Sequence, residues 1–437
     1  MRRATVNKRL FLLTFLLGFV WTCVMSPLAI PDEEYHYRVS WCLSNILLGH
    51  ADAPTQGDAR YFDFSGLRGH YNVSTGYARL FGEILIQQSE GQNIAVLPEL
   101  PRVYLPMYLP QTLGLALGRA LGLGFGGCFL LGRLGNLAFF ALFLALAAGL
   151  APEHKTAVTA AGLLPMALHQ AASFSYDPFL NGMALVFFAA LLRCRFGKGI
   201  LSKREYRSLL GSAALLAPAK GACLPLLFLI WRIPQERFVS PTDRKHKLWG
   251  LMALCLGSLA FFFLPTVSRQ LGGALNWEGE YNYSPVWALA HPLAMVDIFI
   301  RTIRREGLTW FRCMAGYSLA GLTLPLSWWI PLVLLGTLPL AGTPEGKEVL
   351  PGDRIALAAA GMGMVVLSML VMLFTWTSDT RDVIQGVQGR YFLPAAAPMA
   401  LVLSPPKKVP YRDGVVLSIL LVCHTVSIIE VLQYTFA

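Results

Sequence analysis

The sequence predicts an all-α integral membrane protein: a bundle of about eleven transmembrane or re-entrant helices, with membrane-parallel helices in its outer loops. Three observations predict it. The chain is 55% apolar and only 14% charged, where an ordinary soluble chain carries roughly a quarter charged residues. Its low-charge apolar runs are long enough for a hydrocarbon core roughly 30 Å thick. Its basic residues are gathered between those runs, which is how polytopic proteins are oriented.

The first run, Leu10 to Ile30, contains no charge. Arg2-Arg3 ahead of it fits a secretory signal peptide, but no Ala-x-Ala-like cleavage site follows, so the run is read as a retained first helix. Further runs are Cys128–Leu150, Thr156–Tyr176, Pro178–Leu192, Leu248–Val267, Leu326–Gly342, Ile355–Trp376, Phe392–Ser404 and Val415–Thr435. A shorter pair, Leu209–Ala217 and Gly221–Trp231, is interrupted by Pro218 and Lys220. The eight cysteines are scattered, most of them inside apolar runs, where they act as small hydrophobes. Cys42 and Cys313 fall in outer regions, and a disulfide between them is the one pairing the sequence allows for. No metal-ligand spacing is present.

The net charge of +11 points to the membrane surface and not to nucleic acid, because of where the charges lie. With the amino terminus in the cytoplasm, Arg2/Arg3/Lys8/Arg9, Arg193–Arg207, Arg232–Lys247 and Lys407/Lys408/Arg412 all become cytoplasmic. Two of these clusters flank residues 209–231, so that segment is expected to dip in and return as a short hairpin with Lys220 near its turn. Tyr104–Gly124 is apolar enough to span, but counting it as a crossing would put the 193–207 cluster outside. It is therefore expected along the outer surface. Every lysine except Lys220 then lies inside, while the outer side carries arginines. A guanidinium fork suits phosphate recognition.

The whole chain, 1–437, reads as a single polytopic domain. It has a large outer region at 31–127, the hairpin at 209–231, a second outer region at 268–325 and a short third one at 377–391. In the second, Val296, Ile300 and Ile303 share one helix face and Asp297, Arg301, Arg304 and Arg305 another. An interfacial helix with its arginines toward lipid headgroups is expected.

Two constellations carry chemistry. Pro31-Asp32-Glu33-Glu34-Tyr35-His36-Tyr37-Arg38 sets three consecutive carboxylates at a membrane boundary, where charges are solvated, paired or used. One reading is a solvated interface beside an aromatic belt; the other is a general base within reach of a hydroxyl. The second constellation, Gln385-Gly386-Val387-Gln388-Gly389-Arg390-Tyr391-Phe392-Leu393-Pro394, brings an arginine to an outer helix start. It is either a snorkelling anchor or a holder of lipid phosphate. Two weaker features accompany them. Tyr176-Asp177-Pro178 either caps a helix or supplies a second acid. Lys220 is a structural counter-charge or, as the default for an intramembrane charge, a functional group.

Four stretches together resemble the bacterial membrane-protein family catalogued as domain of unknown function 2142. They are Pro31-Asp32-Glu33-x-x-His36-Tyr37; Tyr104-Leu105-Pro106-x-Tyr108-Leu109-Pro110-Gln111; Leu163-Leu164-Pro165-Met166 through Ser175-Tyr176-Asp177-Pro178; and Gly386-Val387-Gln388-Gly389-Arg390-Tyr391-Phe392-Leu393-Pro394. The likeness runs in order over nearly the whole chain, and the last stretch is the most specific. That family is in turn similar to the GT-C superfamily of polyprenyl-phosphate-dependent glycosyltransferases.

What the resemblance implies is a GT-C-like enzyme of the bacterial plasma membrane with its active site on the extracytoplasmic face. It would move a sugar from a polyprenyl-phosphate donor to a glycan, lipid or protein acceptor. Asp32 would act as base, with Glu33 as the competing candidate and His36 orienting. Arg390 would hold donor phosphate with Tyr391, Gln388, Arg381 and Lys220, and Tyr176 and Asp177 would position acceptor or base. No cofactor is expected. Asp32, Glu33 and Asp177 also form an oxygen set suited to Mg or Mn, as in pyrophosphate-using relatives. The competing expectations are a transporter or flippase of lipid-linked glycans and a non-catalytic envelope assembly protein.

Overall fold

The computed structural model describes residues 6–67, 72–85, 91–271, 275, 279–320, 323–342, 348–405 and 409–437. The chain opens with α1 (Lys8–Val24), whose amino end is capped by the Asn7 side chain accepting from the Leu10 amide. The outer region holds α2 (Glu33–Leu47), α3 (Ser74–Gly82), α4 (Leu109–Ala120) and an antiparallel ribbon of β1 (Gln56–Asp58) and β2 (Asn93–Ala95). The bundle continues with α5 (Phe125–Leu150), α6 (Lys155–Gly162), α7 (Pro165–Ala171) and α8 (Asp177–Phe196). Next come α9 (Lys203–Leu216), α10 (Leu224–Phe228) and the long α11 (Pro241–Leu271). The second outer region contains α12 (Pro285–Ala290), α13 (Pro292–Ala315) and a ribbon of β3 (Ser318–Leu319) and β4 (Leu324–Pro325). The last helices are α14 (Trp329–Ala341), α15 (Pro351–Thr375), α16 (Ala396–Val402) and α17 (Arg412–Phe436).

Among the described residues, five helices are long and apolar enough to cross a membrane: α5, α8, α11 over its Pro241–Leu264 part, α15 and α17. The other expected spans are shorter or broken, and proline is the reason in most. Pro27 ends α1 at Val24, well before Ile30, because a proline lacks the N–H and crowds the preceding turn. Pro165 separates α6 from α7. Pro394 confines Gly389–Ala395 to a 3-10 turn before α16. These interrupted segments lie deep inside the molecule: all seven residues of α7 are buried. Irregular backbone at membrane depth is tolerated there because neighbouring protein, and not lipid, meets its polar groups.

The two ends of the bundle differ in charge chemistry. At one end Arg193 and Arg237 meet Glu205 at 3.5 and 3.3 Å, and Arg195 and Arg232 each meet Asp353 at 2.9 Å. Lys155 and Arg412 meet Asp413 at 3.2 and 2.9 Å at the same end. Residues 7–9 join them around a shared cavity, so the described parts of the basic clusters do gather on one face. Arg2, Arg3, Lys407 and Lys408 lie outside the described residues, as does Arg68. The hairpin enters from this end. A capping box between Ser202 and Glu205 starts α9, and the turn after it carries Lys220 to the far end, where its Nζ sits 3.8 Å from the Tyr391 ring centre.

Three expectations need correction. Within Tyr104–Gly124, α4 runs antiparallel to the first turns of α5, along that candidate span and not across it. A Cβ on Gly118, Gly114 or Gly135 would meet Cys128 Cα, Leu131 O or Pro110 O at 2.9, 2.0 and 2.4 Å, so glycines let the two backbones touch along the whole of α4. Cys42 and Cys313 are not paired; both thiols are free and buried. The outer arginines are mostly matched by protein acids and not left for phosphate: Arg38 by Glu34, Arg60 by Asp58, Arg79 by Glu83, at 2.9, 2.6 and 2.9 Å. On α13 the apolar residues Val296, Ile300 and Ile303 are exposed as an interfacial helix requires. Its Arg301 is 2.5 Å from Asp297 and 3.7 Å from Asp382, and its Arg305 3.3 Å from Glu306.

Candidate functional site

The far end is organised by a buried ion pair that sequence reasoning missed. Arg133 of α5 and Glu33 of α2 are both fully buried and joined by two hydrogen bonds of 2.8 and 2.7 Å. All five guanidinium donors are used, because Arg133 also donates to the carbonyls of Thr22, Met25 and Ser26. These carbonyls lie at and just beyond the end of α1, where a helix leaves acceptors without an intrahelical partner. Glu33 in turn accepts from the backbone amides of Leu28 and Phe174 at 3.0 and 3.2 Å. The pair therefore clips the end of α1, the turn into α2 and the bend before α8 into one unit. Asn136, one helical turn after Arg133, donates to Ser173 O and Ser175 O and fixes the same bend. The sequence signal was available: Arg133 is a lone charge within an apolar run, which is rarely accidental.

On this frame sits a cluster around Arg390, which is 3% exposed. Its Nη2 donates to Asp32 Oδ2 at 2.6 Å, and its Nε faces Asp177 Oδ2 at 3.6 Å. Nη1 approaches Pro31 O and Gln170 Oε1 at 3.4 and 3.5 Å. Asp32 caps α2 in a left-handed conformation with φ of 62°, which a short polar side chain tolerates best among non-glycine residues. Its side chain is 59% exposed, whereas that of Asp177, in the first turn of α8, is 6% exposed. One buried cation thus holds two acids, one inward and one at the surface.

An aromatic wall adjoins it. His36 Nδ1 lies 2.8 Å from the Tyr108 hydroxyl, and the His36 ring meets Tyr176 edge-on at 5.0 Å. Burial pushes the His36 imidazole down to about 4, against the opposing pull of Asp32 and Asp177 and with the help of Arg390, so the ring is neutral near pH 7. Lys220 over the face of Tyr391 makes a cation–π contact beside Arg390. Gly389 admits this segment: a Cβ there would stand 2.2 Å from Trp310 O and 2.6 Å from Cys313 Cβ at the end of α13.

The structure therefore brings together Asp32, His36, Tyr176, Asp177, Lys220, Arg390 and Tyr391, and adds Tyr108 and Gln170. Glu33 is set apart: its carboxylate is saturated by four donors and buried. The three acids consequently do not form one oxygen set for a divalent cation, since Glu33 has no free lone-pair direction to offer. Among the described residues no group of three or more His, Cys, Asp and Glu is placed to hold a metal. Arg381 is exposed, and its backbone carbonyl is taken by the Tyr283 hydroxyl at 2.6 Å. Gln388 buries its Oε1 without a partner beside the arginine segment. Arg301, Arg304 and Arg305 are exposed on α13.

Spanning helices, interrupted helices packed among them and a charged cluster at one end define a multi-pass membrane protein. The chain belongs to the family described as predicted membrane protein DUF2142, whose model matches residues 15–399. It matches no curated protein and no solved structure.

Proposed function

We propose that the chain is an inverting GT-C-type glycosyltransferase that moves a sugar from a polyprenyl-phosphate donor to an envelope acceptor on the extracytoplasmic face. The observation that carries this reading is the pairing of an exposed carboxylate, Asp32, with a buried guanidinium, Arg390, at the bundle end opposite the basic clusters. A donor phosphate has the charge and the planar oxygen pair to replace Asp32 on Arg390. That exchange would free Asp32 as a base, while Asp177 stays behind to keep Arg390 fixed.

In the transfer, Asp32 takes the proton of an acceptor hydroxyl, and that oxygen attacks the anomeric carbon. The bond from that carbon to the donor phosphate breaks, and its electron pair leaves with the polyprenyl phosphate. Arg390 and Lys220 hold the departing anion, and neutral His36 with Tyr108 and Tyr176 walls the sugar side. A placed base contributes about 10²–10⁴-fold, and an anion clamp a similar order, roughly 10²–10³.

The second reading is a transporter of lipid-linked glycans, favoured by the interrupted helices α6–α7 beside the cluster, since discontinuous helices mark transporter sites. Asp32→Asn and Arg390→Ala in cells, with envelope glycans read by mass spectrometry, separate the readings. Loss of one sugar with lipid-linked precursor accumulating outside supports transfer. Accumulation on the cytoplasmic side supports transport. Normal glycans from both stably expressed variants would overturn the transferase.

A further inference from the structure

The basic end of the bundle holds a second candidate site, unconnected with the Arg390 cluster. A cavity of about 690 Å³ opens where the amino end of α1, the carboxyl ends of α5 and α8 and the start of α6 converge. Five lysine and arginine side chains line it, Lys8, Arg9, Lys155, Arg193 and Lys198, together with the acids Glu153 and Glu205. Two of them are spoken for, Lys155 by Asp413 and Arg193 by Glu205. Lys8, Arg9 and Lys198 are exposed and make no ion pair among the described residues.

His154, also in the lining, is 3% exposed, and neither of its ring nitrogens has a hydrogen-bond partner. Both nitrogens are enclosed within the wall, so this imidazole shapes the cavity without presenting a polar group to it. Its ring packs against Phe196, 5.1 Å between centroids, which fixes its position in the cavity wall.

A second space of about 260 Å³ adjoins the first through Asn7, Arg9 and Lys155, which line both. Its remaining lining is chiefly the facing sides of α1 and α17, including Leu10, Leu13, Leu417 and Leu420. A basic chamber at the membrane boundary thus continues into an apolar furrow descending between two helices. Phosphate alone would need the chamber; only an anionic lipid uses both.

We infer that this chamber and the adjoining furrow bind an anionic glycerophospholipid of the cytoplasmic leaflet. The phosphate lies among Lys8, Arg9 and Lys198, and one acyl chain lies between α1 and α17. The leaflet follows from the basic clusters at this end, and basic pockets between membrane helices are a known way of holding such headgroups.

The test uses the full-length protein, purified in detergent and depleted of lipid, with phosphatidylglycerol or phosphatidylcholine added and bound lipid counted by native mass spectrometry. Phosphatidylglycerol is expected to remain bound and phosphatidylcholine to be lost. The Lys8→Gln/Arg9→Gln/Lys198→Gln variant is expected to bind on the order of a hundredfold more weakly, each basic residue near an anionic lipid contributing about fivefold. Leu417→Trp, which fills the furrow and touches no charge, is expected to weaken binding as well. Equal retention of the two lipids by the native protein would overturn the inference and needs no variant to fold. Competition by inorganic pyrophosphate together with indifference to Leu417→Trp would overturn it too, by assigning the chamber to a soluble phosphate compound.

Discussion

Adjacent residues in one sequence motif have opposite jobs, and the difference is one of burial. Asp32 and Glu33 are both acids at the start of α2, and the sequence offers no means of ranking them. In the fold, Glu33 is enclosed with Arg133, while Asp32 stands at the surface in an ion pair with Arg390. Removing one partner of a buried pair leaves the other charge unsolvated, a loss of roughly 3–5 kcal/mol. Glu33→Gln is therefore expected to lower the thermal unfolding midpoint in detergent sharply or to abolish accumulation of the protein. Asp32→Asn keeps a side chain that accepts the left-handed backbone and leaves the buried Arg390 with Asp177, so its midpoint should fall by less than that of Glu33→Gln. An equal fall for both variants would contradict the division between frame and reactive group.

At the level of elements, the site depends on how closely backbones approach. Gly389 lets the arginine segment lie against the end of α13, and an added methyl there would run into Trp310 O, which is backbone and cannot rotate away. Gly389→Ala is expected to cost roughly 1–3 kcal/mol, as forced overpacking does, and to reduce any activity of the Arg390 cluster. Gly336→Ala is the control: nothing lies within 4 Å of its added Cβ, so it should be neutral or gain up to roughly 1 kcal/mol of helix propensity. Thermal melts of the two variants read the contrast.

These contacts also mark what the sequence conveys and what it does not. Apolar runs and basic clusters were legible because lipid imposes them locally, and they located α5, α8, α11, α15 and α17. The site motifs at Asp32, Asp177 and Arg390 were legible for the same reason, as charges where an apolar solvent discourages them. Helix ends were not, because prolines such as Pro27 and Pro165 break a run without altering its hydropathy. Nor was the Glu33–Arg133 pair, which depends on residues a hundred positions apart meeting inside the bundle.

At the scale of the whole molecule, every functional statement depends on which end faces outward. The described basic clusters share one end and the Asp32–Arg390 cluster occupies the other, so a single orientation decides both. The native background favours a labelling measurement, since the eight cysteines are all free and seven of them are buried, with Cys23 partly so. Gln92 and Thr380 are exposed on the Arg390 side, and Lys203 and Lys245 are exposed on the basic side. Each is replaced singly by cysteine in the full-length protein, and a membrane-impermeant maleimide is applied to intact and then to permeabilised cells. Gln92→Cys and Thr380→Cys should label in intact cells, Lys203→Cys and Lys245→Cys only after permeabilisation. The two lysine positions test the hairpin separately, because they flank α9 and α10 and must share a side if that segment enters and returns. Labelling of only one of them in intact cells would make the segment a crossing. The fully reversed pattern would put Asp32 and Arg390 in the cytoplasm, where a polyprenyl-phosphate donor consumed on the outer face could not reach them, and the proposed reaction would fall with the topology.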